Sequence, residues 1–189
     1  PLNLKPGDPE AIKARLLNAV HGGYFNSRVN ANVREKHGWT YGARTSLGTD
    51  KLIGYFAANA SVRNMVTDSS ITAFIQEMDR LRTERISAKE LQTVKNVLTG
   101  QFSQSLEEPG TVAQFALNIA RYGLPADYYE KYLEVLQSVT PVEITYLAKK
   151  YLTPERAHIV VVGNREDVEE KLKPFAAEGK INYYDAFGK

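Results

Sequence analysis

Gly22-Gly23-Tyr24-Phe25-Asn26-Ser27-Arg28, resumed at Arg34-Glu35-Lys36-His37-Gly38-Trp39-Thr40-Tyr41-Gly42, is the stretch on which the fold of this 189-residue chain turns. Upstream of it, Ile12, Leu16, Ala19 and Val20 recur at helical spacing, and Gly22-Gly23 ends that helix. Asp8 suits its cap and Pro9 its first position. A second, short helix is expected from Asn26 or Ser27 to Lys36, with Gly38 as its left-handed stop. At Thr40 the pattern changes from helix to strand. Residues 40–47 and 52–61 are rich in β-formers, and Gly48-Thr49-Asp50-Lys51 supplies the turn of a hairpin.

Downstream, residues 66–175 read as mostly helical. Ile71, Phe74, Ile75, Met78 and Leu81 form one apolar stripe. Ser87-Ala88-Lys89-Glu90 is a capping box, opening a helix that shows Leu91, Val94, Leu98 and Phe102. A helix over roughly 112–122 stops at Gly123, and another over 127–136 carries Tyr128, Tyr129 and Tyr132, a spacing typical of core packing. Thr140-Pro141-Val142-Glu143 is a second capping box, for a helix to about Leu152. The apolar run 157–162 reads as a buried strand with His158 at its core or edge. Gly163-Asn164 then turns the chain into a charged helix, and Ile181-Asn182-Tyr183-Tyr184 reads as a terminal strand. This order implies an α+β fold, a largely antiparallel sheet packed against several helices, and not alternating βαβ units. With no internal repeat and no Pro- or Ser-rich linker, residues 1–189 read as one domain.

Composition narrows the chemistry. The 24 basic and 22 acidic residues nearly cancel and form no block, so there is no electrostatic footprint for nucleic acid. The chain has no cysteine, which excludes disulfides, thiolate nucleophiles and zinc–thiolate sites within it. No apolar run reaches the roughly 18 residues of a membrane span, and residues 1–10 do not resemble a signal peptide. The start at Pro1, without an initiator methionine, reads as a processed or excised piece. His21, His37 and His158 are scattered, with no His-x-x-Glu-His or its inverted form, so no metal ligand is assigned to this chain. Glu107-Glu108 is a solvated turn, and no Gly-x-Ser-x-Gly elbow is present.

What remains is the opening stretch. Arg34 falls on the last turn of the second helix and Tyr41 near the strand start, and a tight reversal at Gly38 would bring guanidinium and phenol to one place. Five fixed donors and one hydroxyl make a good set for holding a peptide carbonyl or an oxyanion. On the residues alone the plainer account is preferred: Arg34 pairs with a nearby acid at the helix C-terminus, and Tyr41 is a half-buried strand residue.

The same stretch resembles the insulinase, pitrilysin and mitochondrial-processing-peptidase family of zinc metallopeptidases. The pattern is a glycine pair, then Ser-Arg, then Arg-Glu-Lys-x-Gly-x-x-Tyr, present here as Gly22-Gly23, Ser27-Arg28 and Arg34 through Tyr41. The helix opened by Ser87 with Glu90 and Lys95, Leu124-Pro125, Val139-Thr140-Pro141 and Val160-Val161-Val162-Gly163 follow in the family's order, so the resemblance covers roughly residues 7–187. It implies a metallopeptidase half-domain whose first strands are missing before Pro1. In such enzymes two homologous halves close around a peptide. One carries His-x-x-Glu-His and zinc; the other contributes an Arg and a Tyr that hydrogen-bond substrate or the tetrahedral intermediate. Carried over, those catalytic and substrate-binding roles fall on Arg34 and Tyr41, and the resemblance reverses the preference in favour of function.

The implied cofactor is therefore zinc bound by the partner half, and the implied partners are that homologous half, in the same or a separate chain, and a peptide substrate. Alone, the chain is expected to be inactive. A catalytically silent assembly subunit, or a peptide-binding module without a protease partner, are the competing readings. Tyr41-Gly42-Ala43-Arg44 looks most like bacterial members, which leaves cytoplasm or periplasm open. Residues 52–61 are expected to offer an edge to which substrate adds as a strand.

Overall fold

The computed structural model describes residues 1–185, 187 and 188; Ala186 and Lys189, which the single-domain reading also takes in, lie outside them. Helix α1 (Ala11–Asn18) buries Ile12, Leu16 and Leu17 and continues without a break as a π-helix over Ala19–Gly23. Helix α2 (Arg28–Asn30) likewise widens into a π-helix over Ala31–Lys36. Asp8 does not cap α1. Its carboxylate instead accepts from the Lys5 amide at 2.7 Å, closing the turn before the helix.

Strands β1 (Thr40–Gly48) and β2 (Tyr55–Val62) pair antiparallel, from Gly48 opposite Tyr55 to Thr40 opposite Val62. The second strand starts later than expected. Leu52 and Ile53 stay in the connecting loop, where the Asp50 carboxylate accepts from the Leu52 amide at 3.0 Å, and Leu2 bridges Gly54 at the loop's end. Helix α3 (Thr67–Thr83) follows, then α4 (Ala88–Ser105), α5 (Pro109–Tyr122), α6 (Tyr132–Ser138), α7 (Pro141–Tyr151) and α8 (Arg165–Leu172). The fold is α+β, with a two-stranded antiparallel sheet among the described residues.

The main core joins α1, α3, α4, α6 and α7 through Leu16, Leu17, Leu81, Leu91, Leu136 and Ile144. Two ion pairs tie α1 and its N-cap residue Glu10 to α7: Lys13 to Glu143 at 2.6 Å, and Lys150 to Glu10 at 2.7 Å. The Tyr151 hydroxyl donates to that same Glu10 carboxylate. A second, smaller cluster of Val29, Val33, Ala43 and Ala73 lies beneath α2 and β1, with Trp39, Ala60 and Phe74 packed around it.

Four further expectations are corrected. The helix expected over 127–136 begins only at Tyr132, so Tyr128 and Tyr129 lie in the turns before α6. Residues 157–162 lie in no ladder, and Val160 and Val162 are 85% and 98% exposed, with His158 exposed beside them. Strand composition gives a strand only where another strand offers its backbone, and no described strand runs beside this segment. Residues 181–184 are not a strand either. The Tyr183 hydroxyl donates to Glu169 at 2.7 Å and its ring lies 3.9 Å beneath the Arg165 guanidinium, so the segment packs on α8. In α3 only the C-terminal part of the apolar stripe is buried: Met78 and Leu81 lie in the main core, but Ile71, Phe74 and Ile75 are half-buried, while Ser70, Ala73 and Glu77 are buried beside them. Glu77 is held inside by Asn32 at 2.7 Å and by Arg80 at 3.2 Å, because a buried carboxylate needs partners.

Candidate functional site

Three devices fold the stretch between Gly22 and Gly42. The first is a close approach of helix to strand. A Cβ on Gly22 would fall 2.5 Å from the Thr45 hydroxyl oxygen and 2.9 Å from its backbone nitrogen, so only glycine lets the π-helix lie this close to β1. Asn18 and Thr45 clasp each other there: the Thr45 hydroxyl donates to Asn18 Oδ1 at 2.9 Å, and Asn18 Nδ2 donates to the Thr45 carbonyl at 3.3 Å.

The second is the reversal at Gly38, whose φ of 61° is left-handed as expected of the stop. The Gly38 amide donates to the Arg34 carbonyl at 2.9 Å and the Trp39 amide to the Val33 carbonyl at 3.1 Å. His37 stacks on Trp39 with ring centroids 4.1 Å apart, which holds the turn from outside.

The third is a bulge in β1 between Thr40 and Ala43. The Thr40 hydroxyl donates to the Ser61 carbonyl at 2.8 Å and accepts from the Gly42 amide at 3.1 Å. Asn30 steadies the far side, accepting from the Ala43 amide at 3.0 Å and donating to the Phe25 carbonyl at 2.7 Å. A bulge re-aims a side chain, and here Tyr41 is 101% exposed. It is not the half-buried strand residue of the plainer account.

Arg34 does have the acidic neighbour that account assigned it. Its Nη1 lies 3.1 Å from Glu35 Oε1, an ion pair without hydrogen-bond geometry, and its guanidinium sits 4.5 Å over the exposed Phe25 ring. No hydrogen bond, ion pair or ring contact joins Arg34 to Tyr41 among the described residues; both lie at the Gly38 reversal, each held by its own neighbours.

Behind them, the arginine of the motif's Ser-Arg element is structural. Arg28 donates from Nε and Nη2 to the two Glu90 oxygens at 2.7 and 2.9 Å. The Ser87 hydroxyl accepts from the Glu90 amide at 3.1 Å, but the Glu90 carboxylate turns to Arg28, so only half of the expected capping box forms. The Thr140–Glu143 box is complete. Burial drives the His21 imidazole down to about 4, helped by the Arg28 charge. Burial, then the Glu90 carboxylate, raises the Tyr24 phenol. Sequence reasoning did not single out Phe25 as the platform under Arg34 or Thr40 as the brace of the bulge. Gly42 inside a strand pattern was the available sign of the bulge.

Among the described residues, no group of three or more His, Cys, Asp and Glu side chains is placed to hold a metal ion. Among the described residues, too, no helix is long and apolar enough to cross a membrane.

Residues 3–98 match the family model described as the peptidase M16 inactive domain. No curated protein matches the sequence. Among solved structures, the chain is similar to a peptidase M16 inactive domain from Pseudomonas fluorescens, at 24% identity and a TM-score of 0.74 over 80% of this chain and 36% of that one. It is similar to a putative zinc protease from Bordetella pertussis at 14% identity and a TM-score of 0.65, over 78% of this chain and 81% of that one. A chain of complex III2 from Candida albicans aligns at 15% identity and a TM-score of 0.65, over 77% of this chain and 37% of that one. The chain thus spans about a third of the length of the Pseudomonas structure, and at these identities the likeness is one of fold.

Proposed function

Because the chain belongs to the peptidase M16 inactive-domain family, we propose that it is the substrate-gripping, zinc-free half of a zinc metalloendopeptidase. In this reading a homologous half carrying His-x-x-Glu-His supplies the zinc, whose bound water attacks the scissile carbonyl, and the general base. This chain contributes donors. The observation that carries the reading is the display of Tyr41 by a braced bulge, fully exposed, beside a reversal that also holds the half-buried Arg34. Fixed donors of this kind act on an oxyanion because they need no reorganisation as charge develops. The phenol donates one hydrogen bond and the guanidinium keeps donors beyond its contact with Glu35. The outer edge of β2 pairs with no described strand, which suits an extended peptide added alongside it.

The reading is tested by mixing the chain with a His-x-x-Glu-His half and following quenched fluorogenic peptides. Cleavage is expected only in the mixture, and a zinc chelator should abolish it. A chain that adds nothing to any such half, while still binding it, would point to the second reading, a silent assembly subunit. That reading draws support from Arg34, already engaged by Glu35 and Phe25 as a structural arginine would be.

A further inference from the structure

At the hairpin end of β1, six residues from Tyr41 and so about 20 Å along the strand, a cavity of about 310 Å³ opens between α1, the β1–β2 loop and the end of α5. Its walls include Arg15, Leu47, Asn118, Tyr122, Tyr128 and Tyr129, and no acidic side chain lines it. Arg15 is exposed and makes no ion pair with any described residue. It shares the cavity lining with three tyrosines.

The hydrogen bonds around the cavity run in one direction. Gln114 Nε2 donates to Asn118 Oδ1 at 3.0 Å, which fixes the Asn118 amide so that its Nδ2 donates to the Tyr129 hydroxyl at 2.8 Å. Tyr129 accepts there, so its own proton is left to donate onward, and the preceding bonds polarise it. Its ring cannot swing away easily. It is stacked on Phe115 at 3.7 Å and meets Tyr128 edge-on at 5.1 Å. Tyr128 is not available as a donor, because its hydroxyl is committed to the Pro6 carbonyl at 3.2 Å.

The site therefore presents a planar cation, one oriented O–H donor, aromatic and leucine walls, and no negative charge. Arginine pairs with carboxylates in a bidentate fork, and the aromatic walls favour an apolar body next to the charge. The volume is at the small end of ligand cavities, enough for one or two residues. We propose that this cavity is a carboxylate-binding site, taking a peptide's carboxylate together with the apolar or aromatic group beside it. The carboxylate has two sources, a chain terminus or an acidic side chain. The proposal stands independently of any role for Tyr41.

The test is a titration of the full chain, followed by ¹⁵N–¹H NMR, with N-acetyl-Gly-Phe, its C-terminal amide and N-acetyl-glutamic acid α-amide. A carboxylate probe is expected to shift the Gly48, Thr49 and Asn118 amides saturably, with Kd on the order of 1 mM. The amide should bind at least about tenfold more weakly, a difference of about 1.4 kcal/mol. Arg15→Gln should lose binding to a similar degree, and Tyr129→Phe, which keeps the stacked ring, several-fold. Whichever acid binds more tightly names the source. Arg15 is exposed, so Arg15→Gln should otherwise leave the spectrum unchanged; if it does not, Tyr129→Phe decides. Saturation by neither acid, equal binding of acid and amide, or wild-type affinity in both variants overturns the proposal.

Discussion

Gly22→Ala should destabilise the chain by about 1–3 kcal/mol. The new methyl would meet Thr45 at 2.5 Å from Oγ1, 2.7 Å from Cγ2 and 2.9 Å from the backbone nitrogen. A free threonine would rotate aside. Here the hydroxyl is held 2.9 Å from Asn18 and the backbone is fixed by pairing with Ala58, so relief means moving the helix or the strand. Overpacking of this kind costs roughly 1–3 kcal/mol, and loss of the Thr45–Asn18 hydrogen bond adds about 1. Alanine recovers roughly 0.5–1 through its lower backbone entropy in a helix. Gly100 is the matched control: it lies inside α4, and a Cβ there meets nothing within 4 Å, so Gly100→Ala should stabilise by about 0.5–1 kcal/mol. Urea unfolding followed by circular dichroism reads both, and for a chain this size each kcal/mol moves Tm by about 2–4 °C. A Gly22→Ala midpoint equal to that of wild type would refute the close-approach explanation of the glycine pair.

Breaking the Arg28–Glu90 fork should cost about 1–3 kcal/mol in either single variant, and a double-mutant cycle with Arg28→Met and Glu90→Gln should show coupling; additivity would mean the fork is ornamental. The folded-state pKa of His21 is depressed to about 4 from 6.5, so the unfolded chain takes up its proton first. Stability should be full above pH 6.5 and fall by about 3 kcal/mol towards pH 4, a slope that His21→Leu removes in urea midpoints measured across that range. Glu143 is depressed from 4.5 to about 2, first by the Lys13 hydrogen bond, so it adds stability above pH 4.5 that is lost as pH falls towards 2; Glu143→Gln should flatten that acid limb. Tyr41→Phe should leave stability within about 0.5 kcal/mol of wild type, because the side chain is wholly exposed; a larger loss would mean the phenol is structural.

What could be read from the sequence was what local chemistry decides. Gly38 and Gly123 stop their helices in the left-handed region, and the Thr140–Glu143 box caps α7, because each signal is complete within a few residues. The hairpin was legible for the same reason, apart from its second strand, where Leu52 and Ile53 carry β-forming side chains but sit in the loop. Features that depend on distant partners were not legible. Glu90 is drawn from its box by Arg28, 62 positions away in the chain, and Glu77 is buried in α3 against Asn32, 45 positions away. The π-helical turns that carry Arg34 and the glycine pair have no local signature that separates them from α-helix. Arg34 and Tyr41 were singled out in the sequence, and it was the plainer account of them that put Tyr41 half-buried, where it is wholly exposed. The bulge that exposes it depends on the Thr40 hydroxyl reaching Ser61 across the hairpin.

The central claim is that this half grips the reacting carbonyl, and the most direct measurement is kcat and KM of the reconstituted two-half enzyme with wild type, Tyr41→Phe and Arg34→Gln. The account predicts that kcat and kcat/KM fall together by about tenfold or more in each variant, at least ~1.4 kcal/mol of transition-state stabilisation, with folding unchanged. Wild-type kinetics in both variants would contradict it and leave the chain a scaffold.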